Sequence, residues 1–169
     1  MAEMGGRTLL VLRHAKAVHV EGVADVDREL TKRGRRDAAA AGQWLREAGL
    51  VPDRVLCSVS ARTRQTWQHL SEALGPQAER AAVSFESRLY DAGVRQLLDA
   101  VREAGGGGRT VLVVGHNPAV HELVADVTGA RGFSFPTCAL AVITVTGSWP
   151  GLGPGTGALA GMWFPRGAA

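Results

Sequence analysis

The sequence has little of several features that would indicate a membrane, secreted or nucleic-acid-binding protein. None of its apolar runs is long enough to cross a bilayer, and Arg13 interrupts the first run too early for a secretory signal peptide. The two cysteines, Cys57 and Cys138, each lie in an apolar stretch, which favours buried reduced thiols over a disulfide framework. We therefore expect a cytoplasmic protein without a membrane partner.

Charge is close to balanced, with 19 basic and 16 acidic residues and a net charge of +3. A nucleic-acid-binding domain usually carries a basic stripe with aromatic partners, whereas the tightest basic cluster here, Arg33, Arg35 and Arg36, has the spacing of a solvated helix face. Hydrophobic residues make up 46% of the 169 positions, which is typical of a globular protein. The length predicts a single domain over residues 1–169, and the charge predicts no nucleic-acid partner.

Signatures of several common catalytic sites are missing as well. The five histidines do not form the HExxH pair of a zinc protease, and "GGGGRT" lacks the lysine of a phosphate-binding loop. The GxSxG turn of the α/β-hydrolases does not occur. We expect no metal and no cofactor, although a carboxylate-rich metal site is a weaker alternative at Asp25, Asp27 and Glu122.

Apolar periodicity predicts strands that alternate with helices. The first helix is predicted at 32–48, with Thr31 as its N-cap and Gly49 as its stop. Asp91 and Asn117 are predicted to cap the last two helices. The alternation predicts an α/β three-layer sandwich, with a mostly parallel central sheet, helices on both faces and an antiparallel part at the end. The predicted strands are the apolar runs at 8–12, 54–58, 82–87, 110–114, 139–145 and 157–164.

Three of the predicted strands are followed by side chains of related chemistry. Because ligands of open α/β sheets bind beyond the carboxyl ends of the strands, we expect these side chains to meet at one site. Guanidinium groups offer planar donors that match phosphate oxygens, and a neutral histidine can act as a nucleophile. The sequence therefore predicts a phosphoryl-transfer site formed by Arg13 and His14 after the first strand, Ser58 and Arg62 after the second, and His116 and Asn117 after the fourth.

The segments around these residues resemble the histidine phosphatase superfamily. Its Arg-His-Gly signature is similar to "LRHAKA", where Ala15 stands in the place of the glycine. Its second arginine and second histidine motifs are similar to "CSVSARTRQTWQ" and "VVGHNPAV", and the segment after the signature is similar to "DVDRELTKRGRRDAAAAGQWL". The closing strands resemble those of the compact SixA-type phosphohistidine phosphatases. The resemblance covers nearly the whole chain and implies a phosphoglycerate-mutase-like fold.

The resemblance also implies roles for the residues of the predicted site. His14 matches the nucleophile, which passes through a phosphohistidine intermediate. Arg13, Arg62 and His116 match the residues that bind the phosphoryl oxygens, and Asn117 borders the pocket.

Two further positions, and two loops, are left with alternatives. Lys16 departs from much of the superfamily, and it either reaches the substrate at the rim of the site or is a solvated surface lysine. Asp91 is the best match to the acidic residue that many relatives carry after the third strand, with Glu86 second. It is either a general acid or only a helix cap. We expect the loops 18–29 and 147–157 to shape substrate entry.

The resemblance implies a metal-independent phosphatase, and the SixA-like compactness favours phosphohistidine on a partner protein as its substrate. A protonated imidazole is a better leaving group than an alkoxide, so weak acid assistance also favours P–N substrates. The alternatives at this point are a phosphatase for small phosphoesters and a non-catalytic module that recognises phosphorylated proteins.

Overall fold

A mixed sheet of six strands forms the centre of the computed structural model, which describes residues 6–104 and 106–168. Across the sheet the strands run in the order β3-β2-β4-β1-β5-β6. The strands β3, β2, β4 and β1 run parallel to one another, β5 is antiparallel to β1, and β6 is antiparallel to β5. This confirms the predicted sheet. The strands in chain order are Arg7–Arg13 (β1), Arg54–Ser58 (β2), Ala82–Glu86 (β3), Thr110–Gly115 (β4), Leu140–Val145 (β5) and Gly157–Trp163 (β6).

Local signals set the ends of the first helix, as the sequence predicts. Thr31 Oγ1 accepts a hydrogen bond from the Gly34 amide, and Gly49 ends the helix in the left-handed conformation with φ 72°. No helix of the described ranges is long and apolar enough to cross a bilayer. The helices are Lys32–Ala48 (α1), Ala61–Leu74 (α2), Val94–Ala104 (α3) and Ala119–Thr128 (α4).

The two faces of the sheet each carry an apolar core and a pair of helices. Successive residues of β1 point to opposite faces: Leu10 and Leu12 pack with residues of α1 and α2, while Leu9 and Val11 pack with residues of α3 and α4. All four β1 side chains are fully buried. The predicted three-layer α/β sandwich is therefore confirmed.

Both cysteines are buried free thiols, as predicted. Desolvation raises the pKa of Cys57 to about 12, and it also raises the pKa of Cys138. The two thiols therefore stay protonated at neutral pH and act as small apolar core residues.

The loop 147–157 lies at the amino-terminal end of β1, and the predicted site lies at its carboxyl end. Because β5 runs antiparallel to β1, the residues after β5 lie beside the start of β1, where Arg7 Nη1 donates to the Gly147 carbonyl (2.7 Å). Trp149 is buried there and its Nε1 donates to the Gly108 carbonyl (2.7 Å). The prediction that this loop shapes substrate entry is wrong, because β5 runs antiparallel to β1 and the loop after it therefore lies at the opposite end of the central strands from the site.

Candidate active site

The carboxyl ends of β1, β4 and β2, which are neighbours in the sheet, border a cavity of about 410 Å³. Arg13 ends β1 and His14 follows it, while Arg62 lies in the first turn of α2, directly after β2. His116 and Asn117 follow β4. The structure brings these five predicted residues together in the lining of the cavity, which we call the catalytic cavity.

Hydrogen bonds hold His14 in one orientation. Its amide donates to the Gly115 carbonyl of β4 (3.0 Å), and its own carbonyl accepts from the Cys138 amide (3.0 Å). The ring Nδ1 lies 2.7 Å from the Ala15 carbonyl oxygen. Because a carbonyl can only accept, Nδ1 carries the proton and Nε2 keeps its lone pair. This contact leaves His14 as a nucleophile at Nε2.

Burial keeps the His14 imidazole uncharged. Its exposed fraction is 8%, and desolvation lowers its pKa to about 3, against the hydrogen bond to Ala15, which favours the charged form. The charges of Arg62 and Arg13 lower the pKa further. At neutral pH the ring is therefore neutral, which is the state that a nucleophilic histidine needs.

Arg13 and Arg62, two of the arginines that line the catalytic cavity, have donors to spare. Arg13 Nη1 donates to the Phe135 carbonyl (3.2 Å), and Arg62 Nη1 and Nη2 donate to the carbonyl and the carboxylate of Asp25 (2.7 and 3.0 Å). Among the described residues, the buried Nε–H groups of both arginines find no acceptor, although buried donors are normally paired. A phosphoryl group in the cavity would accept from the remaining Nη–H groups of the two guanidiniums.

His116 lies beside His14, with the ring centroids 5.3 Å apart. Its Nε2 is 2.9 Å from Oγ of Ser58, the buried last residue of β2. Desolvation and then the charge of Arg62 lower the pKa of His116 to about 4, so this ring is neutral too. Where Ser58 donates to Nε2, the proton is on Nδ1, which can then donate to a phosphoryl oxygen.

Asn117 belongs to the wall of the cavity and does not cap a helix. Its Nδ2 donates to the Phe135 carbonyl (2.9 Å), which also accepts from Arg13. Pro118 occupies the position before α4, which begins at Ala119, and no side chain caps this end. The predicted capping role is wrong because the Asn117 amide binds the Phe135 carbonyl instead.

Comparison with known proteins identifies the family of this chain. Residues 9–91 match the model of the histidine phosphatase superfamily, branch 1. A phosphohistidine phosphatase SixA homolog of Haemophilus influenzae is 30% identical over 129 residues, which are 73% of this chain and 78% of that protein. The chain belongs to the histidine phosphatase superfamily.

Two further relatives of this histidine phosphatase cover almost its whole length. An uncharacterized protein of Mycobacterium tuberculosis is 36% identical over 165 residues, which are 92% of this chain and all of that protein. The structure of a candidate phosphohistidine phosphatase SixA from Nakamurella multipartitia has a TM-score of 0.82 at 34% identity, and covers 96% of this chain and 98% of its own. The predicted phosphatase activity and phosphoglycerate-mutase-like fold are thereby confirmed.

The rim of the histidine phosphatase site is basic. Lys16 is exposed and lines the catalytic cavity together with His19 and Arg28. Arg28 Nε donates to the Val18 carbonyl (2.8 Å), and His19 and Arg28 place part of the loop 18–29 beside the cavity. That this loop shapes substrate entry stays a prediction. A contact between Lys16 and the substrate stays a prediction.

Asp25 is a residue of the site whose role the sequence did not indicate. It lies in the 3-10 turn Asp25–Asp27, and its carboxylate accepts from Arg62, from Arg28 (both 3.0 Å) and from the Tyr90 hydroxyl. These donors, Tyr90 first, hold the pKa of Asp25 well below its usual range. The histidine phosphatase therefore keeps an ionised carboxylate against Arg62, one of the arginines of the catalytic cavity.

Asp91 lines a second, smaller cavity of about 160 Å³ and does not cap α3. The helix begins at Val94, and Gln96 Oε1 accepts from the Gly93 amide (2.9 Å) at its start. The predicted cap is wrong because Asp91 lies in a turn, with φ 56°, two residues before Gly93. Glu86, the second candidate acid, lines neither cavity and accepts hydrogen bonds from neighbouring side chains.

Proposed function

We propose that this phosphatase hydrolyses phosphohistidine on a partner protein through a covalent intermediate at His14. One observation carries the proposal: the Ala15 carbonyl holds Nδ1 of a neutral His14 and leaves Nε2 with its lone pair among Arg13, Arg62 and His116. The SixA-type relatives are described as phosphohistidine phosphatases, which supports the same substrate class.

In the first step His14 Nε2 attacks the phosphorus atom, and the bond to the leaving group breaks. The two guanidinium groups and His116 hold the oxygens of the transferring group, whose charge spreads over them in the transition state. All three side chains are fixed by contacts to the fold before substrate binds. The positive charge that the reaction needs is thus supplied by arginines at fixed positions.

In the second step water attacks the phosphorus atom of phospho-His14. The P–N bond breaks, its electron pair returns to Nε2, and inorganic phosphate leaves. Because Nδ1 keeps its proton on the Ala15 carbonyl, His14 leaves as a neutral imidazole and needs no other acid. The enzyme returns to its starting protonation state.

The ionised state of Asp25 favours a P–N substrate over a phosphoester. An alkoxide leaving group needs a proton, and general acid catalysis is typically worth about 10² to 10⁴ in rate. Asp25 accepts from three donors and is held ionised, so it has no proton to give. An imidazole that is already protonated leaves without such help.

A phosphatase for small phosphoesters is the second candidate, and the position of Asp91 in the smaller cavity favours it. If Asp91 is a general acid, Asp91→Asn lowers turnover of alkyl phosphates by about 10² or more. A change below about twofold on every phosphoester would remove this candidate.

The test of the proposal is phosphate release, without added metal, from a phosphohistidine-bearing phosphotransfer domain and from an aryl phosphate. We expect strong turnover of the first and weak turnover of the second. His14→Ala abolishes both, while His69→Ala, which changes a histidine on the outer face of α2 paired with Glu72, keeps full activity. Full activity in a folded His14→Ala variant would overturn the nucleophile and the intermediate.

A further inference from the structure

The smaller cavity adjoins the catalytic cavity and shares three of its residues. Arg62, His116 and Asn117 line both. The remaining lining of the smaller cavity comes from two loops and includes Asp25 and Tyr90. A group bound there would lie next to a phosphoryl group held by Arg62 and His116.

The lining of the smaller cavity is rich in hydrogen-bond acceptors. Asp25 and Asp91 provide carboxylates, and the Tyr90 hydroxyl donates its proton to Asp25. A ring N–H of an imidazole is a donor of the kind that these carboxylates bind.

Size and shape restrict what can bind there. At about 160 Å³, the cavity is well below the volume of a typical ligand pocket, and it suits a single ring. The Tyr90 ring stands edge-on to the His116 ring, with 5.6 Å between centroids and 81° between planes. The two rings give an aromatic wall of the kind against which a planar ring packs. Asp25 and Asp91 are exposed, so a side chain of another protein can enter from solvent.

We propose that the smaller cavity is the leaving-group subsite and that it takes the imidazole ring of phosphohistidine, with the ring N–H directed to the carboxylates of Asp25 and Asp91. This inference rests on the proposed function and adds a selectivity to it. Nitrogen leaving groups that carry a proton are accepted, and leaving groups that carry a carboxylate are repelled.

The subsite supplies what departure of an imidazole requires. In phosphohistidine one ring nitrogen bears the phosphoryl group, and the acceptors favour a proton on the other. When His14 Nε2 forms its bond to phosphorus, the electron pair of the breaking P–N bond goes to the leaving nitrogen. The positive ring becomes a neutral imidazole that keeps its N–H proton, so no acid has to be added.

The test compares two small substrates that need no docked protein. These are phosphoimidazole and phosphoglycolate, whose leaving group carries a carboxylate. The variants are Asp91→Asn and Asp91→Gly, since both residues tolerate the left-handed backbone at this position (φ 56°). Asp27→Asn is the matched control, because Asp27 is exposed on the loop 18–29 but lines neither cavity.

We expect wild-type kcat/KM to favour phosphoimidazole. Both Asp91 variants should lower the ratio of phosphoimidazole to phosphoglycolate by about threefold to fivefold, the size of effect expected for an exposed charge. Asp27→Asn should leave the ratio unchanged. A general acid at Asp91 predicts the opposite sign, because its loss would slow phosphoglycolate and raise the ratio.

Three outcomes overturn the subsite: a wild-type preference for phosphoglycolate, an unchanged ratio in both Asp91 variants, or an equal shift in Asp27→Asn. Free imidazole and glycolate, tested as inhibitors of aryl phosphate turnover, give an independent measurement. We expect imidazole to inhibit more strongly, and equal inhibition would also overturn the subsite. Failure of the proposed function gives a different result: His14→Ala would then keep full turnover, whatever the ratio of the two substrates.

Discussion

The two cavities of this histidine phosphatase share a wall and differ in charge. Among the described residues, the catalytic cavity is lined by Arg13, Lys16, Arg28 and Arg62 and by no carboxylate, whereas the smaller cavity shares Arg62 and adds two carboxylates and a phenol. The first suits the oxygens of a phosphoryl group, and the second suits a group that donates hydrogen bonds. The difference indicates that the protein places positive charge beside the phosphoryl group and carboxylates beside the leaving group.

The two cavities also differ in which parts of the fold form them. The groups that would hold phosphate follow the ends of β1, β2 and β4. The backbone of His14 is hydrogen-bonded to β4 and the ring of His116 to the last residue of β2, while the Arg62 guanidinium is held by Asp25. Asp25, Tyr90 and Asp91 come from the loop 18–29 and from the turn after β3. Because loops vary more easily than a scaffold, we infer that strand ends carry the chemistry and the two loops carry the selectivity.

The largest expected effect comes from removing the arginine that both cavities share. Arg62→Ala should lower kcat/KM for an aryl phosphate by about 10² to 10³, the range seen when one preorganised transition-state donor is lost. Arg62→Lys should recover little, because an ammonium cannot bind Asp25 and a phosphoryl group with a planar fork.

Steady-state kinetics with Arg64→Ala as the control would check this prediction. Arg64 lies one half-turn along α2, with its guanidinium 4.4 Å from the Phe85 ring centre, and lines neither cavity. Full activity in Arg62→Lys would contradict the planar-fork explanation, and full activity in Arg62→Ala would remove Arg62 from the phosphate site.

A smaller effect is expected from Asp25, which contacts Arg62 from the side of the smaller cavity. Asp25→Asn keeps the shape but weakens the charge-assisted bond to Arg62 (3.0 Å). The Asp25 side chain is 53% exposed, so we expect only about a tenfold loss in kcat/KM. Asp27→Asn should have no effect. Tighter inhibition by inorganic phosphate in Asp25→Asn would instead show that Asp25 competes with the substrate as an anion.

The parts of the site that could be predicted from sequence are those that local patterns determine. A buried strand that runs directly into Arg13 and His14 places both at a sheet edge, whatever the rest of the chain does. Thr31 and Gly49 likewise mark the ends of α1 within one turn of chain. These elements follow from short-range rules of burial and capping.

The smaller cavity could not be predicted in this way, because its contacts join distant segments. Asp25 meets Arg62 across 37 residues and Tyr90 across 65. The position of Ser58 at the end of β2 could be predicted from its strand, but its contact with His116 joins residues that are 58 positions apart. The residues next to these side chains in the sequence do not indicate which distant residue each one contacts.

The smallest expected effect is the change in protonation of His14 and His116 at mildly acidic pH. Burial lowers the pKa of His14 to about 3 and that of His116 to about 4, so both imidazoles lose their protons as pH rises through those values and stay neutral above about pH 5. An imidazole with an ordinary pKa of about 6.5 would be about 97% protonated at pH 5.

NMR of the ring C–H groups, assigned with His14→Asn and His116→Asn, would check this prediction between pH 8 and pH 5. We expect the two resonances to move little over that range. Both rings would then be neutral in the resting enzyme, and His14 could act as a nucleophile across the same range. A titration of His14 near pH 6.5 would contradict its burial in a positive site, and a titration of His116 near that pH would add a positive charge to the wall that the two cavities share.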